Sequence, residues 1–261
     1  MNTLKIPVFV ISLKSASERR SFIQNQLKKL NFDFEFFDAF IGKDYASDPA
    51  YYNEKKALKA EGRKLRAGEV GCALSHNAVY RLIAEKKLPY ALILEDDAII
   101  SEDLPQVIDK LLPYLDGRRI IQLERCDLYK KSSIQPLVKG YSIVEPRFIK
   151  AGTIAQAAGY LISFEAAMAI KDINFPVYFP ADSWGYYKKY VHFSAVIPSQ
   201  TCIRQSGGFF SSTEDIKTVR SFSDTNVWTF ILHVFFTYNF FGRIIYRFFH
   251  PLYKRVFRWK K

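Results

Sequence analysis

The residues best suited to chemistry stand together in LILEDDAII, residues 92–100, where an apolar run ends in Glu95, Asp96 and Asp97. Burying unpaired charges beside a core strand costs several kcal/mol per ion, so three consecutive carboxylates require either solvent or a cation. In open α/β sheets the C-terminal edge of the strands is also where ligands bind. A hard divalent ion with oxygen ligands, bridging the two phosphates of a nucleotide sugar, would neutralise Asp97 and its neighbours. It would also stabilise a departing diphosphate. On these residues alone a second reading stays open, a solvated strand end in which Asp96 or Asp97 caps the next turn.

Those carboxylates need a frame. Residues 6–13 (IPVFVISL) form a β-branched apolar run long enough for a buried strand and too short for a buried helix. They predict the first strand of a sheet covered on both faces. Next, Phe22, Ile23, Leu27 and Leu30 recur at helical spacing, with Ser15 or Ser17 as N-cap and Glu18 in the first turn. Residues 34–37 read as a second strand ending at Asp38, a βαβ beginning that predicts a parallel sheet. Residues 42–66, dense in Lys, Glu, Asp and Tyr, read as an exposed excursion with one short helix, a candidate lid or acceptor-side loop. Helix 68–87, strand 90–94, helix 104–115 and strand 119–123 continue the alternation. Beyond Gly140 come less regular strands at 142–149 and 158–163, a short helix at 164–171, and a turn-rich segment through Pro176 and Pro180.

Several blocks in order carry a resemblance: VISLKSASERR (10–20), FFDAFIG (36–42), AGEVGCALSHNAVY (67–80) and LPYALILEDDAII (88–100). AAGYLIS (157–163) and FPADSWGYY (179–187) follow. Over roughly residues 6–205 the chain resembles glycosyltransferase family 25, the lipooligosaccharide-biosynthesis galactosyltransferases. The resemblance implies a GT-A type fold, with UDP-galactose or UDP-glucose as donor, manganese or a similar ion, a glycolipid acceptor and inversion at the anomeric carbon. It places Glu95 and Asp97 at the outer positions of the acidic metal and ribose motif, with Asp97 the direct ligand and Asp96 on the donor. Position 95 departs from the pattern by holding Glu where Asp is usual. Ser12, Leu13, Arg19 or Arg20, Asp38 and Ala39 fall where such folds hold the nucleotide, and an arginine there pairs with diphosphate. SERR also reads as a solvated helix face. A lone histidine in a helix is by default a satisfied core or surface residue; the resemblance gives Ser75 and His76 a role near the donor. It makes Asp182 the candidate general base, with a metal-side or acceptor-binding role as the competing assignment. Gln205 is a donor contact. Trp184, Tyr186 and Tyr187 read either as sugar-stacking rings or as core.

The last segment reads differently. Residues 226–261 hold no acid and seven cations: Arg243, Arg247, Lys254, Arg255, Arg258, Lys260 and Lys261. Removing these from the 38 basic residues leaves 31 against 26 acidic ones, a net +5 for residues 1–225 out of +12 for the whole chain. At about 100° per residue, Val227, Ile231, Val234 and Tyr238 fall opposite Arg243, Arg247, Lys254 and Arg258. The pattern predicts a basic amphipathic helix lying on an anionic bilayer through Trp228, Phe235 and those cations. Its apolar part is shorter than the ~20 residues a span requires, and a helix packed against the domain is the competing reading. The chain therefore divides into a catalytic domain, 1–225, and a membrane-associating tail, 226–261.

The first 20 residues show no apolar h-region followed by a cleavage site, which predicts a cytosolic protein on the inner face of a bacterial inner membrane. Cys72, Cys126 and Cys202 are odd in number and widely spaced. They fit neither a disulfide framework nor a zinc site and read as reduced structural thiols. No nucleic-acid motif or interleaved basic and aromatic surface is present, so nucleic acid is not an expected partner. Two rival classes share parts of the pattern. A nucleotidyltransferase would want a glycine-rich phosphate loop after the first strand, and ISLKSASERR has no glycine. A non-catalytic membrane adaptor would not need three intact carboxylates.

Overall fold

The computed structural model describes residues 6–147, 149, 154 and 156–206. The tail from residue 226 onward, with Trp228, Phe235 and its cations, lies outside the described residues.

Strand β1 (Val8–Ser12) is buried at every position, and its side chains divide between two cores. Val8 and Val10, with Leu92 and Leu94 of β3 (Tyr90–Glu95), face a layer built on Ile23 and Leu27 of α1 (Ser17–Lys29) and Val107, Ile108 and Leu111 of α4 (Leu104–Leu111). Phe9, Ile11, Ala91 and Ile93 face the opposite layer. That layer is built on Val79, Tyr80 and Ile83 of α3 (Ala67–Glu85) and Ala166, Ala167 and Ile170 of α5 (Phe164–Ile170). Period-two side chains sorted to two apolar layers are what a sheet with helices on both faces produces.

The main sheet has eight strands. They add β2 (Glu35–Asp38), β5 (Arg119–Gln122), β6 (Gln135–Pro136), β7 (Ser142–Val144), β8 (Gly159–Ser163) and β9 (His192–Ile197) to β1 and β3. Their order is β2-β1-β3-β8-β5-β9-β7-β6. Six strands run one way, and β8 and β7 run against them. The sheet is thus mostly parallel but mixed, because β8 enters the centre antiparallel between β3 and β5. A separate ribbon pairs β4 (Ala98–Ile100) with β10 (Ile203–Gln205).

Parallel register fixes the site's position. Ser12 pairs with Asp38 and Ile11 with Glu95, so the three strand ends meet at one edge. Gly159, the first residue of β8, pairs with Leu94 and brings residues 156–158 to the same edge.

Several expected boundaries shift for local reasons. Helix α1 starts after Ala16 with no side-chain cap, so neither Ser15 nor Ser17 plays that part. Helix α4 stops at Leu111 and tightens into a 3-10 turn, Leu112–Tyr114, at Pro113. The excursion 42–66 carries a 3-10 turn, Gly42–Asp44, and one α-helix, α2 (Glu54–Glu61), capped by Asn53, whose side chain accepts from Lys56 N, and ended by Gly62 at φ 72°. It is packed down rather than standing free, because Tyr52, Ala57 and Leu65 share a small core with Val70, Leu74 and Val177.

Helix α3 lies flush on the loop after β2, and two glycines allow this. A Cβ on Gly71 would sit 2.6 Å from Phe40 O and 2.7 Å from Gly42 N, and one on Gly42 would sit 1.7 Å from Ala67 O. Gly71→Ala must therefore push the helix off the loop, at about 1–3 kcal/mol for overpacking. The expected outcome is a lower urea midpoint with an unchanged slope. An unchanged midpoint would show that the contact is loose.

Candidate functional site

A cleft of about 630 Å³ opens at the strand edge. Its walls include Ser12, Leu13, Arg19, Ala39, Ser75, Glu95, Asp96, Asp97, Asp182 and Gln205, together with Cys72 and Gln156.

Three carboxylates turn into this space from the end of β3, and their surroundings differ. Arg19, on the first turn of α1, bonds Asp96 and lies 3.2 Å from Asp97 Oδ2. The other oxygen, Asp97 Oδ1, is buried with no hydrogen-bond partner. Burial and the neighbouring Glu95 push the Asp97 carboxyl up to about 7, against the pull of Arg19. Burial also raises Asp96. Glu95 is lowered instead: burial opposes its charge, but His76 and Cys72 hydrogen-bond to it and hold it ionised.

The two candidate arginines separate. Arg19 lines the cleft. Arg20 points across the strand ends, donating to Ser12 O at 3.0 Å and Ser12 Oγ at 3.3 Å, bonding Asp38, and covering the Phe36 ring at 4.7 Å. The Arg20 bond holds the Asp38 carboxyl below its usual range. Arg20 and Asp38 thus tie β1 to β2 and do not line the cleft. Ser75, fully buried, accepts from Phe40 N at 2.9 Å and donates to Gly71 O at 2.7 Å, clasping the loop that carries Ala39.

His76 does not reach the cleft. It is 1% exposed; Nε2 lies 3.2 Å from Glu95 Oε1, and Nδ1 lies 2.7 Å from Tyr160 Oη. Its place is that of a positioning residue behind Glu95. Asp182 stands at the cleft rim. Its residue meets solvent, but the walls around the carboxyl, with Glu95 opposite, raise its pKa by desolvation first and charge second. Trp184 and Tyr187 are each 1% exposed in the core, and Tyr186 stacks on Phe179 at 4.2 Å and donates to Ala60 O at 3.0 Å. The core reading holds for Trp184 and Tyr187, while Tyr186 is half-buried and packs against that core. Gln205 accepts from Gln156 Nε2 at 2.9 Å.

Two polar residues here escaped the sequence reading. Gln156, at φ 70°, lines the cleft beside Gln205, and its irregular stretch gives no periodic signal. Glu124, just past the end of β5, is fully buried. One oxygen accepts from Ala158 N at 3.2 Å, and the other, Oε1, has no partner. Its signal was present in IIQLE, which repeats the pattern of an apolar strand running into an acid. Burial, then Glu95, pushes its carboxyl up to about 8.

A raised acid holds a proton in the folded state that the unfolded chain releases near pH 4.3. Stability therefore falls as pH climbs from there to about 8, by about 1.4 kcal/mol per unit, and levels off above. Glu124→Gln keeps an acceptor for Ala158 N and cannot ionise. In chelator it should flatten that slope and raise the thermal midpoint at pH 8. An unchanged slope would mean Glu124 is charged where it lies.

A carboxylate-lined cleft with an arginine, at the carboxyl edge of an α/β sheet, is the setting of enzymes that handle phosphorylated ligands. Residues 5–184 match the family described as Glycosyltransferase family 25 (LPS biosynthesis protein), and the chain belongs to that family. It is 35% identical over 117 residues to a putative glycosyltransferase of Haemophilus influenzae, covering 44% of this chain and 40% of that one. It is 31% identical over 172 residues to the lipooligosaccharide biosynthesis protein lic2B of the same species, covering 60% and 59%. Human procollagen galactosyltransferase 2 is 25% identical over 64% of this chain and 27% of its own. The chain thus spans between 40% and 59% of the length of the two bacterial relatives. Among solved structures, mannose-1-phosphate geranyltransferase from Thermus thermophilus aligns at TM-score 0.38 and 13% identity over 74% of each chain, a likeness too weak to carry an argument.

Proposed function

We propose that this chain is a glycosyltransferase that moves galactose from UDP-galactose to a lipooligosaccharide acceptor, with inversion and with manganese held by Asp97 and Glu95. The observation that carries the reading is Asp97 Oδ1, a buried oxygen without a partner in a cleft already crowded by carboxylates. A hard cation fits that donor set. When bound there, the ion would neutralise charge that develops on the leaving diphosphate.

The chain's own groups do the rest in this reading. Ser12, Leu13 and Ala39, at the ends of β1 and β2, bound the uridine end of the cleft. Arg19 holds the diphosphate while Asp96 fixes the guanidinium. Asp182 takes the acceptor hydroxyl proton as the anomeric carbon is attacked, and its raised pKa makes it a stronger base than a solvated aspartate. His76 keeps Glu95 ionised and in place. A panel of UDP-sugars assayed by nucleotide release, with and without manganese, tests the donor. UDP-galactose turnover that stops in chelator is the expected result, and metal-independent turnover of another donor would replace this reading.

Residues 226–261 are proposed to hold the enzyme on the anionic inner leaflet by combining apolar burial with Coulomb attraction. Truncation after Asp224 should release it from anionic vesicles and spare turnover of a short soluble glycoside. A truncated enzyme that still sediments with those vesicles would place the membrane site elsewhere.

A further inference from the structure

At the wall of the cleft, α3 brings two softer donors onto Glu95. Cys72 and His76 are one helical turn apart, so their side chains lie on one face. Cys72 Sγ is 3.6 Å from Glu95 Oε1 and His76 Nε2 is 3.2 Å from the same oxygen. The three donor atoms all lie within 4.8 Å of one another. Zinc binds sulfur at about 2.3 Å and nitrogen or oxygen at about 2.0–2.2 Å in a tetrahedron, which separates its donors by roughly 3.3–3.7 Å. The two separations to Glu95 Oε1 lie close to that range, and Cys72 and His76, at most 4.8 Å apart, would close on the ion to complete it.

Three surrounding features support a cation. The outer nitrogen of His76 is anchored by Tyr160 Oη, itself 2.8 Å from Tyr80 Oη, which fixes the ring as liganding histidines are fixed. Cys72 lines the cleft, so a fourth position opens toward solvent. Asp97 and Asp182 line the same cleft, and their negative field draws in a dication.

We propose that Cys72, His76 and Glu95 form a site for a thiophilic divalent cation of the zinc class, which shares Glu95 with the hard-ion site but does not use Asp97. Binding replaces the Cys72 S–H with an S–metal bond and releases that proton to solvent, while the His76 proton moves from Nε2 to Nδ1, where it is donated to Tyr160 Oη and leaves the Nε2 lone pair for the metal. Sequence spacing hid the site because two ligands share a helix turn and the third ends a strand 19 residues on. Occupancy commits Glu95 and so inhibits transfer; the inhibition rests on the proposed function, while the binding does not.

Cobalt, a spectroscopic stand-in for zinc, tests the binding on the full-length, chelator-stripped protein. The expected titration shows a thiolate-to-cobalt charge-transfer band with four-coordinate visible bands, bleached by one equivalent of zinc. Cys72→Ser should abolish the charge-transfer band and weaken zinc binding at least tenfold. Asp97→Asn, and separately Cys126→Ser combined with Cys202→Ser, should keep it. Absence of the band in folded wild type, or its persistence in Cys72→Ser, overturns the site. Loss of the band in folded Asp97→Asn overturns its independence of Asp97. One equivalent of zinc should slow wild-type transfer at least tenfold and spare Cys72→Ser relative to its own zinc-free rate. A protein inactive toward every donor would defeat the transferase reading and leave the cobalt spectrum to decide the site.

Discussion

Asp97→Asn should lower transfer by about a thousandfold while the folded protein gains stability in chelator above pH 7. The first effect follows from losing a carboxylate that would hold the cation, and with it the stabilisation of charge developing on the leaving group, worth about 10²–10³ in rate. The second follows from the same residue's burial. With its carboxyl pushed up to about 7, a folded Asp97 resists ionisation that the unfolded chain accepts, so stability is lost as pH rises toward 7. Asparagine keeps the volume and drops the charge. Opposite signs in activity and stability separate a functional carboxylate from a structural one. A folded variant with near wild-type turnover would remove Asp97 from the mechanism, and a destabilised one would make it a structural ion pair with Arg19.

Asp182→Asn should cut turnover by about 10²–10⁴, the range for a lost general base, and leave donor affinity within about twofold. The donor does not need that proton acceptor. Desolvation and Glu95 raise the Asp182 carboxyl, so the acidic limb of the wild-type turnover profile should lie above the usual carboxylate range and vanish in the variant. A large loss of donor affinity with turnover preserved would place Asp182 at the donor instead.

Legibility in the sequence tracked how continuous each apolar run was. Strands β1 and β3 stood out because burial on both faces makes their central positions apolar, and the acids at and after the end of β3 marked the ligand edge directly. Strand β9 was missed although it lies inside the sheet. His192–Ile197 carries His and Ser among its six residues, too broken for an apolar run. The antiparallel entry of β8 was equally hidden, because YLIS reads the same in either direction and only the crossover decides it. At the site, residue types identified the acids but not their division of labour. That Arg20 serves the strand pair and Arg19 the cleft depends on which face of α1's first turn each occupies. That His76 sits behind Glu95 depends on the approach of α3 allowed by Gly71. Glu124 was readable and was passed over.

The most direct test of the central claim is the mass of the product. The full-length enzyme is incubated with UDP-galactose, manganese and a lipooligosaccharide truncated at its galactose positions, and the acceptor is weighed by mass spectrometry. The predicted result is an acceptor heavier by one hexose, with equimolar UDP released, and none of either in chelator or with Asp97→Asn. Acceptor modification that continues unchanged in chelator and in Asp97→Asn would contradict it.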